Sequence, residues 1–175
     1  MATESANSNG AVKAKLVLQQ CLSARLQVQP ATEYEEAKYV EIGKGIIIYV
    51  CFMNGATEGI VEKMVKCALN TCLSPSEDPS ATKRVSVLDL PGDVLIIPQA
   101  TLGGTPKGKQ MQYHKNIAKD DGKKLYSYFV SLCEASLHMS EKAREQGKHV
   151  CAGTYGNLQV FRTDTNGPFT HLLEF

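Results

Sequence analysis

Hydrophobic and polar positions follow strand-like and helix-like patterns along most of the chain. Residues 15–21 and 25–28 predict an opening pair of strands. Residues 46–52 (IIIYVCF) are nearly continuous in apolar character, which is typical of a central strand buried on both faces. Residues 85–88 and 93–97 predict a hairpin around a Pro-Gly turn.

Two helices are predicted between these strands. Thr57 is a candidate N-cap for a helix that ends near Asn70, since apolar residues recur at helical spacing after it. A second and longer helix is predicted over residues 122–145, and three short strands finish the chain. This order of elements predicts an α/β (α+β) fold, a mainly antiparallel sheet or barrel that carries two long helices.

The length of 175 residues suits one domain, predicted over residues 13–175, after a disordered N-terminal tail over residues 1–12. The net charge of +1 argues against a globally basic nucleic-acid binder. No apolar run has the length needed to cross a bilayer, and no membrane association is expected.

Six cysteines are spread along the chain without any CxxC pair. Several stand inside apolar runs, which favours reduced thiols that pack as small hydrophobic groups over a disulfide or zinc framework. We therefore expect a cytoplasmic protein without a metal ion or other cofactor.

Residues 98–109 (PQATLGGTPKGK) follow a predicted buried strand and are rich in hydroxyl, amide and glycine groups. Backbone N–H groups in such a loop are suited to an oxyanion, and Gln99 or Thr101 to a hydroxyl. The alternative is a flexible connection without a chemical role.

Residues 165–170 (TNGPFT) interrupt two strand-like runs near the end of the chain. Proline lacks an N–H and glycine allows close approach to the backbone, so this segment is suited to presenting free carbonyl oxygens. An ordinary hairpin turn is the alternative, since Asn-Gly is a strong turn signal.

Between residues 107 and 124, six lysines stand against two aspartates, a local charge of +4. A phosphate-contacting strip and a solvated loop both remain open.

The sequence has no GxSxG, HExxH, P-loop or GxGxxG signature. His149 and Cys151 share a strand face, but no third group orients them, so a cysteine hydrolase is a weak alternative.

The loop and the Gly-Pro segment together resemble the two signature motifs of the D-aminoacyl-tRNA deacylase family, Ser-Gln-Phe-Thr-Leu and Asn-x-Gly-Pro-Val-Thr. Here they read PQATL at residues 98–102 and TNGPFT at residues 165–170. Further collinear matches, among them LVLQQ at 16–20 and GTYG at 153–156, extend the resemblance over nearly everything after Lys13.

Four departures from these motifs, at Pro98, Ala100, Thr165 and Phe169, resemble the animal-specific tRNA deacylase (D-aminoacyl-tRNA deacylase 2) branch of the family. That resemblance implies a trans Gly-Pro bond and a wider amino-acid pocket. The implied substrates are glycyl- and D-aminoacyl-tRNA and L-alanine attached to threonine tRNA.

The resemblance also implies a homodimer whose Gly-Pro segments reach across to the partner's site, and hydrolysis driven by the 2′-hydroxyl of the tRNA. The residues so implied for catalysis are Gln99, Ala100 and Thr101. Those implied for substrate binding are Gly167, Pro168, Phe169, Thr170 and Gln19, with Lys107 and Lys109 for tRNA phosphates. The alternative function is a non-catalytic tRNA- or RNA-binding module.

Overall fold

The structure is a computed structural model that describes residues 10–78, 80 and 82–175. Most of the predicted tail, residues 1–12, lies outside the described residues. The strands are β1 (Ala14–Cys21), β2 (Ser23–Gln29), β3 (Lys38–Ile42), β4 (Gly45–Phe52), β5 (Ser74–Pro75), β6 (Arg84–Val85), β7 (Asp93–Pro98), β8 (Thr105–Lys107), β9 (Gln110–Gln112), β10 (Val150–Ala152), β11 (Phe161–Asp164) and β12 (His171–Glu174). The helices are α1 (Glu58–Asn70), α2 (Lys119–Met139) and α3 (Glu141–Glu145), with a short 3₁₀ helix at Ala100–Gly103.

The larger sheet has five strands in the order β10-β7-β4-β1-β12, so it is open, with β10 and β12 at its edges. β4 lies at its centre, which confirms the predicted central strand. It pairs in parallel with β7 and antiparallel with β1, so the sheet is mixed. Gly45 permits the close approach of β7, since a Cβ there would overlap the carbonyl oxygen of Asp93.

Both faces of the larger sheet are covered. Successive residues of a strand point to opposite faces, so β4 contributes apolar side chains to a separate cluster on each face. Ile46 and Ile48 of β4 pack with α1 and α2, whose contribution includes the fully buried Phe129. Ile47 lies in a second cluster with Leu26, which belongs to a three-stranded antiparallel sheet in the order β11-β2-β3. The predicted α+β class is confirmed, in the form of open sheets with helices on one face.

Two predicted strand pairings are wrong. β1 pairs with β4 and β12, whereas β2 pairs with β3 and β11, so the two opening strands belong to different sheets. β6 pairs with β5, and β7 lies between β4 and β10, so residues 85–97 do not form a hairpin. An apolar pattern predicts that a segment is extended, but its pairing partner depends on contacts far away in sequence.

The helices begin and end close to the predicted positions, with one interruption. Thr57 occupies the N-cap position of α1, although its side chain accepts no capping hydrogen bond, and α1 ends at Asn70 as predicted. The longer helix is divided at Ser140, whose side-chain oxygen accepts a hydrogen bond from the N–H of Ala143 and so caps α3. None of the helices in the described part of the chain is long and apolar enough to span a bilayer.

Candidate active site

The loop that follows β7 leaves the sheet at the carboxyl ends of two parallel strands. The N–H of Gln99 still donates to the carbonyl oxygen of Val50 on β4, at 2.8 Å. The chain then turns into the 3₁₀ helix, closed by hydrogen bonds from Leu102 to Gln99 and from Gly104 to Thr101. The buried sheet therefore fixes the start of this loop, while Ala100 and Thr101 are exposed at its tip.

The first N–H groups of a helical turn have no acceptor within the helix. Among the described residues, the N–H groups of Ala100 and Thr101 have no hydrogen-bond acceptor elsewhere either. Beside them, the side-chain amide of Gln99 donates to the hydroxyl oxygen of Thr101 at 2.6 Å. The three residues predicted for catalysis thus lie together, with two free donors and a hydroxyl group.

This loop forms one wall of a cavity of about 760 Å³. Tyr49 and Phe161 form an edge-to-face aromatic pair on another wall, with ring centroids 6.2 Å apart. Tyr155 and Asn157 complete the lining on the side of the segment that follows β10. An aromatic-walled cavity beside free polar donors is suited to a flat, partly polar group such as a nucleoside.

The titratable side chains that line the cavity are Tyr49, Cys51, Lys119 and Tyr155. Burial raises the pKa of both tyrosines and of the Cys51 thiol, so all three are neutral near pH 7. No aspartate, glutamate or histidine belongs to the lining formed by the described residues. The cavity therefore offers neither a general base nor an activated thiolate.

The lysines of the basic segment take different positions. Lys119 is the first residue of α2 and lines the cavity beside Gly156, whose φ is +87°. Lys107 and Lys109 lie on the hairpin of β8 and β9, exposed and outside the cavity lining. Of the six lysines in the predicted basic strip, Lys119 is therefore the one that lines the cavity.

The Gly-Pro segment lies between β11 and β12, next to β1. The side-chain amide of Gln20 donates to the carbonyl oxygen of Asn166 at 2.6 Å, and its backbone N–H donates to the carbonyl oxygen of Pro168 at 3.0 Å. Gln20 is only 2% exposed, so these contacts hold the segment firmly. Gln19, which the resemblance indicated, stands one position earlier and on the opposite face of β1.

The cavity lining formed by the described residues contains none of residues 165–170. One chain therefore brings Gln99, Ala100 and Thr101 together but does not bring Gly167 and Pro168 to them. Phe169 is partly exposed, at 38%, and adopts a positive φ of 51°.

The Gly167–Pro168 peptide bond is cis. The trans bond that the branch resemblance implied is therefore corrected by the structure. A tertiary amide prefers trans by only about 0.5–1 kcal/mol, so the surrounding chain decides the isomer and the motif alone does not.

The cysteine alternative finds no support in the geometry. Cys151 and His149 lie outside the cavity lining, and both contact the carbonyl oxygen of Glu41. Burial raises the pKa of the Cys151 thiol, which disfavours the thiolate. All six cysteines of the chain are free thiols.

Comparisons with known proteins identify the family of this chain. The sequence model described as D-Tyr-tRNA(Tyr) deacylase matches residues 17–174, nearly the whole chain. This chain belongs to the D-Tyr-tRNA(Tyr) deacylase family. Family membership confirms the resemblance seen in the sequence and the class of enzyme that it implies, a deacylase that hydrolyses ester bonds.

Two relatives within the family are both called D-aminoacyl-tRNA deacylase 2. The Danio rerio protein is 57% identical over 164 residues, which cover 94% of this chain and 100% of the relative. The Homo sapiens protein is 53% identical over 163 residues, with 93% and 95% covered. The branch suggested by the four departures from the family motifs is thus confirmed.

A solved structure of a probable eukaryotic D-amino acid tRNA deacylase superposes with a TM-score of 0.78 at 29% identity, covering 93% of this chain and 100% of that one. The c-Myc DNA unwinding element binding protein superposes with a TM-score of 0.74 at 22% identity, covering 92% and 98%. The second similarity concerns the fold alone.

Several cavity residues were not singled out from the sequence. Asn116 and Lys119 lie inside the basic segment, where the lysines drew attention to charge rather than to the cavity. Tyr155 belongs to the GTYG stretch at 153–156 that supported the family resemblance, and this was the available signal for it. Tyr49 and Phe161 look like ordinary strand aromatics, because only the packing of two sheets brings them together.

Proposed function

We propose that this protein edits mischarged tRNA by hydrolysing the ester that joins an amino acid to the terminal adenosine. The proposed substrates are L-alanine on threonine tRNA, glycyl-tRNA and D-aminoacyl-tRNA. This range rests on the branch to which its relatives belong and not on the isomer of the Gly167–Pro168 bond. The aromatic-walled cavity takes the adenosine, and the loop at residues 99–101 takes the ester.

The observation that carries this proposal is the combination of free N–H groups on Ala100 and Thr101 with a cavity lining that lacks an acid, a base and a thiolate. Such a site stabilises an oxyanion but cannot activate water through a side chain. An aminoacyl ester is already reactive, and the neighbouring 2′-hydroxyl of the ribose supplies the missing group. Good positioning contributes on the order of 7–11 kcal/mol to such a reaction.

Selection of the amino acid falls to the Gly-Pro segment of a second copy of the chain. The segment is firmly held, yet it lies outside the cavity of its own chain. A homodimer that places Gly167 and Pro168 over the partner's loop completes the site. The predicted cytoplasmic location fits this function and stays a prediction.

The decisive experiment compares deacylation of L-Ala-tRNA(Thr), D-Tyr-tRNA and correctly charged L-Thr-tRNA. We expect rapid loss of the first two and survival of the third. Hydrolysis of D-Tyr-tRNA alone would restrict the function to removal of D-amino acids. Binding of all three without faster hydrolysis would leave only an RNA-binding module.

The role of the 2′-hydroxyl is tested with tRNA that ends in 2′-deoxyadenosine and carries the amino acid on its 3′-oxygen. We expect this substrate to bind but to resist hydrolysis. Thr101→Ala is expected to retain substantial activity on ordinary substrate, because its hydroxyl is not the nucleophile. Loss of activity to background in this variant would make Thr101 the nucleophile instead.

A further inference from the structure

Asn116 lies in the short connection between β9 and α2, and three backbone contacts fix that connection to the end of β4. Asn116 forms an isolated antiparallel bridge with Met53. The N–H of Asn54 donates to the carbonyl oxygen of Lys115 at 2.8 Å, and the N–H of Ile117 donates to Phe52 at 3.2 Å. The backbone of Asn116 is therefore held by the same strand that supports the loop after β7.

The side chain of Asn116 reaches the proposed catalytic loop. Its amide nitrogen, Nδ2, donates to the carbonyl oxygen of Ala100 at 2.8 Å. A carbonyl oxygen only accepts hydrogen bonds, so the NH₂ group must face it. The amide packs directly against Gly103, where a Cβ would overlap Oδ1 of Asn116.

The amide oxygen of Asn116, Oδ1, makes this side chain less favourable for stability than an apolar side chain of similar size. Oδ1 of Asn116 is buried and has no hydrogen-bond partner among the described residues. A buried polar atom without a partner costs free energy that an apolar side chain would avoid. The hydrogen bond to Ala100 is thus the favourable contribution that the amide makes at this position.

The Ala100 carbonyl and the Thr101 N–H belong to one peptide unit. A planar trans peptide points its C=O and N–H in opposite directions, so fixing one fixes the other. We propose that Asn116 is a positioning residue, which holds this peptide so that the Thr101 N–H keeps its direction toward the ester oxygen. This inference rests on the proposed function, because it assumes that the loop at residues 99–101 meets the substrate.

Asn116→Asp tests the inference, because the substitution preserves size and replaces the donor by an acceptor. We expect the rate at saturating substrate to fall about tenfold near pH 7, the change expected for losing one hydrogen bond. KM is expected to change by about twofold or less, since the adenosine contacts remain. Asn116→Ala, which removes the donor without adding charge, is expected to show a similar loss and serves if the aspartate variant does not fold.

Asn54→Asp is the matched control. Its side-chain amide donates to the carbonyl oxygen of His114 at 3.2 Å, in the same connection but away from the Ala100 carbonyl. We expect its rate to stay within about twofold of the unmodified protein. An equal loss of rate in both variants, or no loss in Asn116→Asp, would overturn the positioning role.

The pH dependence separates positioning from a merely structural role. A protonated aspartic acid again donates to the Ala100 carbonyl, so the rate of Asn116→Asp relative to the unmodified protein should rise as pH falls through the carboxyl pKa. The same ratio for Asn54→Asp should stay constant. A flat ratio for Asn116→Asp would contradict the inference.

Ala100→Pro distinguishes this inference from the proposed function. Proline is tolerated at the first position of a helical turn, and there it removes the Ala100 N–H without breaking a bond of the helix. We expect about a 100-fold loss of rate if the loop is the catalytic one. If Ala100→Pro reduces the rate and Asn116→Asp does not, only the role of Asn116 fails. If neither reduces it, the proposed site fails as well.

Discussion

The guanidinium carbon of Arg84 lies 3.5 Å from the centroid of the Phe169 ring. The same guanidinium donates through Nη1 to the carbonyl oxygen of Leu73 at 2.8 Å. The Phe169 ring in turn covers Gly167, where a Cβ would lie 2.5 Å from the ring. Arg84 and Phe169 therefore form a stack over the Gly-Pro segment, and the same Cβ at Gly167 would also lie 2.8 Å from Nε2 of Gln20.

Arg84→Met should loosen this stack, because it removes the charge and the hydrogen bond while keeping a long side chain. We expect a stability loss of about 1 kcal/mol and a changed ratio of L-Ala-tRNA to L-Thr-tRNA hydrolysis. The stability and the hydrolysis ratio of Arg84→Lys should lie between those of the unmodified protein and those of Arg84→Met. Arg162→Met, at an exposed position of β11, is the control and should leave the ratio unchanged. An unchanged ratio in Arg84→Met would show that the stack does not influence selection.

Gly103→Ala should damage the proposed catalytic loop, because its Cβ would overlap the Asn116 amide and lie 3.0 Å from Sδ of Met53. Overpacking of this kind costs about 1–3 kcal/mol. Urea unfolding and single-turnover deacylation should both show the loss. Gly59→Ala in α1 is the control, since its nearest atom is 3.9 Å away and alanine favours helices. A Gly103→Ala protein with normal stability would mean that the loop tolerates a displaced Asn116.

Dimers of two different variants test whether the Gly-Pro segment acts across subunits. Pro168→Ala is expected to alter the ratio of L-Ala-tRNA to L-Thr-tRNA hydrolysis, and Ala100→Pro to inactivate its own loop. In a purified mixed dimer, the only active loop faces the intact Gly-Pro segment of the other subunit. The ratio should therefore return to that of the unmodified protein. A mixed dimer that keeps the ratio of Pro168→Ala would place the segment in the site of its own chain.

Buried thiols predict a loss of stability in alkali. Burial raises the pKa of Cys21 to about 11 and that of Cys133 to about 12, from an ordinary value of 9.0. Because the folded-state values are raised, the stability they contribute is complete below pH 9.0 and is lost as pH rises toward 11 and 12. Cys133→Val should show a smaller decrease in unfolding free energy between about pH 8 and about pH 10.5. An equal decrease in unfolding free energy in Cys133→Val and in the unmodified protein would show that Cys133 does not contribute to the loss of stability in alkali.

Local sequence patterns predicted the strand β4, the helix α1 with its cap at Thr57, and the exit loop at residues 98–102. Each of these elements depends on the hydrophobic period, the apolar content or the residue type at the N-cap, and these features can be recognised from a few neighbouring residues. The same patterns failed for the partners of β1 and of β7, because pairing is decided by contacts across the whole chain. They also missed the interruption at Ser140, where a capping side chain competes with helix continuation.

The amino-acid sequence by itself determined the family, the two motifs and the absence of a familiar hydrolase signature, since each is a matter of residue type and order. Only the tertiary structure decided that Asn116 reaches Ala100, that Arg84 covers Phe169, and that the Gly-Pro segment stays outside its own cavity. The first two are contacts between residues that are not neighbours in sequence, and the third depends on where whole strands are placed. Their geometry comes from the packing of two sheets and two helices, which no local pattern encodes.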